Sequence, residues 1–153
     1  MFDFHAHFSG SGYDTIGSQG LFAEEGDLSV FLNGYFRNAG QASAYSHSPQ
    51  SLLDIVKHLP EGDLPLLEGS FCAVIHDSKA RTLRLITDIY GSRPLYCRWE
   101  GQAVAVSTRL LPLLAGKSRL TVPKEALADS MALGFVRAPG TMVEGISRVG
   151  RNS

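Results

Sequence analysis

The stretch from residue 67 to residue 114 constrains the fold most, because it contains an apolar run that must be covered on both faces. Residues 71–75 are Phe-Cys-Ala-Val-Ile, with no charged side chain among them. A strand that faces water on one side alternates apolar and polar residues, so an unbroken run indicates burial on both sides. We predict a strand over 69–77, a polar turn over 77–81 and a partner strand over 82–88.

Other segments predict further strands. Residues 94–99 and 102–107 form a second pair around Glu100-Gly101, and the alternation of residues 1–8 predicts a half-buried strand. Residues 9–20 contain four glycines and predict a loop. Residues 28–36 are apolar but contain Asn33-Gly34, so they predict either a hairpin or a strand that ends in a tight turn.

Helices are predicted where a cap or proline precedes an apolar stripe. Ser48-Pro49 begins one helix, with a stripe of apolar residues at Leu52, Ile55, Val56 and Leu59. Pro123 begins a second helix, over Leu127, Ala128, Met131 and Ala132, that ends at Gly134, and Thr108 is expected to cap a short helix that ends near Gly116. The order of elements predicts an α+β fold in which helices cover antiparallel sheets.

Composition narrows the classes of function. The 153 residues suit a single domain spanning 1–153, and the net charge of −1 with scattered basic residues predicts no nucleic-acid partner. The longest apolar run is too short to cross a membrane, so we expect a cytoplasmic protein without a membrane partner. Cys72 and Cys97 lie in apolar strands, where thiols behave as small hydrophobic groups.

Three segments carry a family resemblance: LEGSFCAVIHD (67–77), LITDIYGSRPLYC (85–97) and VAVSTRLLPLL (104–114). They resemble the type 2 glutamine amidotransferase domain at the N-terminus of asparagine synthetases and of the related β-lactam synthetases and lasso-peptide cyclases. The resemblance implies a four-layer α/β/β/α sandwich of antiparallel sheets, the N-terminal-nucleophile hydrolase fold. The strongest signature consists of Asp88, Gly91, Arg93, Pro94 and Tyr96, whose implied role is structural.

The same resemblance locates the expected chemistry. Family members hydrolyse glutamine with an N-terminal cysteine whose own α-amine, with a pKa of about 7.7, acts as the base. This chain begins Met1-Phe2 and offers no such nucleophile, and residues 47–51 lack the family's glutamine-binding aspartate. Asn33 and Gly34 resemble the family's oxyanion turn, but we favour an ordinary turn, because Asn-Gly between apolar strands is the commonest short hairpin signal. We therefore expect a vestigial oxyanion turn and no catalytic residue.

The C-terminal part of the chain indicates the kind of larger protein in which such a domain would work. Residues 131–153 resemble the bridge from the amidotransferase domain toward a synthetase domain, but no Ser-Gly-Gly-x-Asp-Ser pyrophosphate loop is present. Arg109 also replaces a family glutamate that faces the partner domain. We therefore expect no cofactor in this chain, ATP and Mg²⁺ in the implied synthetase domain, and that domain as partner in cis or in trans.

The leading hypothesis is a catalytically degenerate amidotransferase-like domain that acts as scaffold for the synthetase half of an ATP-dependent, amide-forming ligase. One alternative is an active glutaminase that supplies ammonia for asparagine synthesis. Another is a stand-alone interaction module, for which an exposed apolar patch over 131–143 and self-association as a homodimer would be signs.

A last alternative is a metal-dependent hydrolase. Asp3, His5 and His7 form an Asp-x-His-x-His pattern that resembles the first metal-binding strand of amidohydrolase barrels. Such barrels need about 250 residues, more than this chain has, so we favour the polar face of an edge strand.

Overall fold

The computed structural model describes residues 4–9, 12–15, 22–38, 44–58 and 67–151. Within these ranges the chain forms two antiparallel sheets and two α-helices. The strands are β1 (His5–Ser9), β2 (Gly12–Thr15), β3 (Phe22–Glu25), β4 (Leu28–Asn38), β5 (Leu67–Asp77), β6 (Thr82–Thr87), β7 (Tyr96–Glu100), β8 (Ala103–Ser107) and β9 (Ser147–Arg148). The helices are α1 (Pro49–His58) and α2 (Lys124–Leu133).

The two sheets pack face to face. One has the strand order β2-β1-β8-β7-β9 and the other β3-β4-β5-β6. Between them lies a core to which both sheets contribute: Phe4, Ala6, Phe8, Phe31, Cys72, Val74, Leu95, Val104 and Val106. At its centre the rings of Phe4 and Phe31 are 4.5 Å apart. The predicted α+β architecture with antiparallel sheets is confirmed.

Strand β5 is buried on both faces, as the apolar run predicted. Cys72 and Val74 face the other sheet, whereas Phe71, Ala73 and Ile75 face a second core built with α1. Each of these five side chains is at most 3% exposed. β5 is therefore a central strand of the fold, paired with β4 on one side and β6 on the other.

Helix α1 forms where its sequence stripe predicted it. Ser48 Oγ accepts a hydrogen bond from Ser51 N at 3.4 Å at its start, and Pro49 occupies the first turn. Leu52 and Leu53 are fully buried against the outer face of the β3–β6 sheet. Leu59, the last residue of the predicted stripe, lies outside the described residues.

Three predictions about the N-terminal half are wrong. β1, whose polar face was expected on an edge strand, lies between β2 and β8. Residues 12–15, expected in a loop, form β2 and pair with β1. The ring of Tyr13 packs 5.7 Å from that of Phe8 and 5.7 Å from that of Phe31, and this aromatic burial outweighs the local preference of the glycines for a loop. Residues 28–38 form the single strand β4, so Asn33-Gly34 makes neither a hairpin nor a terminal turn.

The C-terminal half departs from prediction at Thr108, which caps no helix. A 3₁₀ helix occupies Leu111–Leu114 and starts after Leu110 without a side-chain cap. Thr108 Oγ1 instead accepts a hydrogen bond from Phe4 N. Pro112 lies in the first turn, where its missing N–H group needs no partner.

Helix α2 begins after Pro123 and ends at Gly134, whose φ of 76° gives the left-handed cap predicted there. Ala126 is its one buried residue among those described, and Met131 is 81% exposed. Neither helix of the described ranges is long and apolar enough to cross a lipid bilayer.

Candidate functional site

Asn33 lies in the middle of β4, on the face that looks toward the other sheet. It is paired in register with Cys72 of β5. Its side-chain oxygen Oδ1 accepts a hydrogen bond from Arg93 Nη1 at 3.2 Å. On the neighbouring residue, the carbonyl oxygen of Gly34 lies 3.2 Å from Nδ1 of His47. The side chains of Arg93 and His47, which are distant from each other in the sequence, thus both contact the Asn33-Gly34 pair.

Gly34 is glycine because two backbones approach each other closely there. A Cβ on Gly34 would lie 2.1 Å from Ser70 O and 2.8 Å from Phe71 Cα. Gly69 is its counterpart in β5, where a Cβ would lie 2.2 Å from Tyr35 O. The glycines therefore serve the β4–β5 contact, which is why the Asn-Gly pair does not mark a turn.

The beginning of β1 is held beside Asn33. Phe4 N donates to Thr108 Oγ1 at 3.0 Å, and Phe4 O accepts from Ser107 Oγ at 3.0 Å. Phe4, Asn33 and Thr108 line one small cavity of about 10 Å³, together with apolar side chains of both sheets. Such a volume holds at most about one water molecule. Residues 1–3, which include Phe2 and Asp3, lie outside the described residues.

The thiol of Cys72 also lines this cavity. Burial raises its pKa to about 12, an effect that the nearby Arg93 cation only partly offsets. The thiol donates a long contact of 3.9 Å to Pro94 O. At neutral pH Cys72 is therefore a protonated, poorly nucleophilic group.

Asp88 organises the loop that follows β6. Its carboxylate accepts hydrogen bonds from Phe71 N at 3.2 Å, Tyr90 N at 2.9 Å and Ser92 N at 3.1 Å. Ser92 Oγ adds a fourth bond at 2.6 Å and also lies 2.8 Å from Ser70 Oγ. Burial alone would raise the pKa of Asp88, but the hydrogen bonds together hold that pKa below its ordinary value.

The remaining signature residues surround this loop. Gly91 has a φ of 59°, and its N–H donates to Asp88 O at 2.9 Å to close a tight turn. Tyr96 begins β7 and pairs with Ser107 of β8. Arg109 is exposed. The structure thus brings Asp88, Arg93 and Asn33 into one region.

His5 and His7 lie on the face of β1 opposite to Ala6 and Phe8, which face the core between the sheets. His7 Nε2 lies 3.2 Å from Glu100 Oε2. Burial lowers the pKa of His5, and the neighbouring His7 and Arg98 lower it further. Within the described ranges no three potential ligands come together as a metal site. The Arg98 cation beside His5 also disfavours a metal ion there.

Comparison with known proteins decides the family. A glutamine amidotransferase domain model matches residues 5–152, almost the whole chain. The chain belongs to the glutamine amidotransferase domain family. It is also 24% identical, over 163 aligned positions, to the asparagine synthetase [glutamine-hydrolyzing] 1 of Bacillus subtilis (strain 168). That alignment covers 95% of this chain and 26% of the relative, so the chain spans about a quarter of that protein's length.

Three polar residues of this amidotransferase domain were missed by the sequence analysis: His47, Ser70 and Ser92. Ser92 follows Asp88 by four residues, a spacing at which a buried carboxylate can hold a loop, and this local signal was available. His47 and Ser70 reach the site only through strand pairing and the connection after β4. No local pattern marks them.

Proposed function

We propose that this domain is the amidotransferase-like part of an asparagine-synthetase-family ligase and that it no longer hydrolyses glutamine. The ligase would use ATP and Mg²⁺ in a synthetase domain, fused or separate, to activate a carboxylate, which an amine then converts to an amide. As in β-lactam synthetases and lasso-peptide cyclases, the amine would come from the substrate. The domain itself would be a four-layer N-terminal-nucleophile sandwich, located in the cytoplasm, that acts as a scaffold.

The surroundings of Asn33 carry this proposal. As far as the described residues define it, the cavity that Asn33 lines has room for about one water, which leaves no space there for glutamine. Asn33 Oδ1 is engaged by Arg93. The thiol nearest in register is that of Cys72, whose pKa of about 12 keeps it protonated. A nucleophile and a substrate pocket are the two things that glutaminase chemistry needs.

An exposed apolar surface supports the scaffold role. It consists of Leu127, Met131, Leu133 and Phe135, which are 50%, 81%, 48% and 60% exposed. Leu127 and Met131 lie one turn apart on α2, and Met131, Leu133 and Phe135 lie in the segment 131–153, which resembles the bridge toward a synthetase domain. Apolar surfaces of this kind commonly mark protein contacts, either with that domain or with a second copy of the chain.

An active glutaminase is the second candidate. It is favoured by the family match and by the resemblance of Asn33 and Gly34 in sequence to the family's oxyanion pair. In that case a nucleophile would have to precede Phe4, next to the cavity, where the backbone of Phe4 is already fixed by Ser107 and Thr108.

Glutamate release from glutamine separates the two functions. We expect the complete gene product to release no more glutamate than a blank without protein, because the Asn33 cavity excludes the substrate. Asn33→Ala is the test variant, and Gln102→Ala, exposed in a turn far along the sheet, is its control. Turnover that Asn33→Ala abolishes and Gln102→Ala leaves intact would establish the glutaminase instead.

A further inference from the structure

A cavity rich in arginine lies beside the loop that contains Gly91. Its volume is about 680 Å³, and it is enclosed by this loop and by residues 135–139 and 148–151. Small-molecule sites commonly have volumes of about 300–1,000 Å³. Four arginines reach it: Arg93, Arg137, Arg148 and Arg151. No acidic residue is present among the described residues that line it.

Three of these arginines have no carboxylate partner among the residues that the structure describes. Arg137 is neutralised by Asp129, whose oxygen Oδ1 lies 2.7 Å from Arg137 Nη2. Arg148 Nη2 donates to the carbonyl of Gly91 at 3.0 Å, and Arg93 donates to the amide of Asn33, so both have neutral partners. Arg151 forms no ion pair within the described ranges.

Gly91 brings these side chains together. A Cβ on Gly91 would lie 3.2 Å from Arg151 Cγ and 4.0 Å from Arg148 Nη2, so both side chains lie along this loop. Arg93 is two residues further along the same loop. Gathering three positive charges costs free energy unless an anion lies between them. Guanidinium groups match the oxygens of phosphoryl groups in pairs, which makes such an anion the natural occupant.

Part of the cavity lining is apolar. This apolar wall contains Phe135, which is 60% exposed, and also Pro139 and Val149. An inorganic ion would leave this wall in contact with water. A phosphorylated molecule with an apolar body would cover it and would also neutralise the arginines.

We propose that this arginine cavity is a binding site for a phosphorylated organic molecule, whose phosphoryl group contacts Arg148 and Arg151 and whose apolar part packs against Phe135. The arginine cavity and the Asn33 cavity share no lining residue, although Arg93 of the first donates a hydrogen bond to Asn33 of the second. Binding at the arginine cavity does not depend on the function proposed above.

The test uses phenyl phosphate as the probe, added to ¹⁵N-labelled protein at constant ionic strength. We expect saturable shifts at the backbone amides of Gly91 and Gly150, with weaker binding of inorganic phosphate. Arg151→Gln should weaken binding of phenyl phosphate at least about tenfold, since it removes a charge-assisted contact. Arg119→Gln removes the same charge from an exposed position outside the cavity and should leave binding unchanged.

Four results would overturn the proposal. They are the absence of saturable shifts into the millimolar range, shifts confined to other regions, equal weakening by Arg151→Gln and Arg119→Gln, and binding of benzoate as tight as that of phenyl phosphate. Equal affinity for inorganic phosphate and phenyl phosphate would refute the role of the Phe135 wall. Thermal unfolding of both variants shows whether they remain folded, and Arg148→Gln provides a second variant in the cavity.

Discussion

Replacing Gly34 by alanine tests the close approach of β4 and β5. The new Cβ would lie 2.1 Å from Ser70 O, so the strands would have to separate by about 1 Å to reach the distance of about 3.3 Å of a weak C–H···O contact. The φ of 123° at Gly34 adds strain for any residue with a Cβ. Because Ser70 O and Phe71 Cα, the nearest atoms to the new Cβ, both belong to the backbone, no neighbouring side chain can move aside to relieve the clash.

The expected cost follows from these two effects. Overpacking in a filled core costs about 1–3 kcal/mol, and a residue held in a sparsely populated backbone region costs about 1–3 kcal/mol. We therefore expect Gly34→Ala to lower the free energy of unfolding by about 4 kcal/mol, and the melting temperature by roughly 8–16 °C for a domain of this size.

Gly101→Ala is the matched control. Gly101 has a positive φ of 65°, but a Cβ there would meet no atom within 4 Å, so only the backbone strain of about 1–2 kcal/mol applies. Urea unfolding followed by circular dichroism gives both values. If the two variants differ by less than about 1 kcal/mol, the close approach at Gly34 is refuted and a turn-like role for the Asn-Gly pair returns.

Three further predictions concern the carboxylate, the core and the thiol. Asp88→Asn should destabilise the domain by about 2–4 kcal/mol at pH 7, because it replaces an acceptor of four hydrogen bonds. Since folding lowers the pKa of Asp88 below 3.8, the stabilisation by its carboxylate is present above about pH 4 and is lost as pH falls through the folded-state pKa. The difference in unfolding free energy between variant and parent should therefore shrink in acid, and a difference that stays constant would contradict this prediction. Leu52→Ala should cost about 2–5 kcal/mol in urea unfolding, because Leu52 is fully buried between α1 and the β3–β6 sheet, and a cost below about 1 kcal/mol would contradict that packing. Cys72 should react with iodoacetamide at pH 8 only in denaturant, given its pKa of about 12, and mass spectrometry showing rapid labelling of the native protein would refute this.

The sequence predicted those parts of the fold whose signals are local. The unbroken apolar run of β5 and the stripe of α1 each require burial on particular faces, and hydrophobic burial is what holds both elements in place. Gly134 could be assigned as a helix end because few other residues adopt a left-handed cap. Each of these signals depends only on residues that are close to one another in the sequence.

The errors arose where distant contacts override local preference. Asn33-Gly34 has the composition of a turn, yet the glycine is needed because Ser70 of another strand lies against it. Strand β2 forms because Tyr13 packs on Phe8 and Phe31. The glycines near Tyr13 give no local sign of that packing. For the same reason the contact between Arg93 and Asn33, which are 60 positions apart, could not be predicted from spacing.

Reaction with a diazoketone analogue of glutamine tests the central claim most directly, because this electrophile alkylates any nucleophile that a glutamine site presents. The complete gene product is incubated with the analogue and analysed by mass spectrometry after proteolysis. Our account predicts no adduct on the native protein beyond that found after denaturation. A stoichiometric adduct on a residue that precedes Phe4, suppressed by excess glutamine, would contradict the loss of glutaminase chemistry.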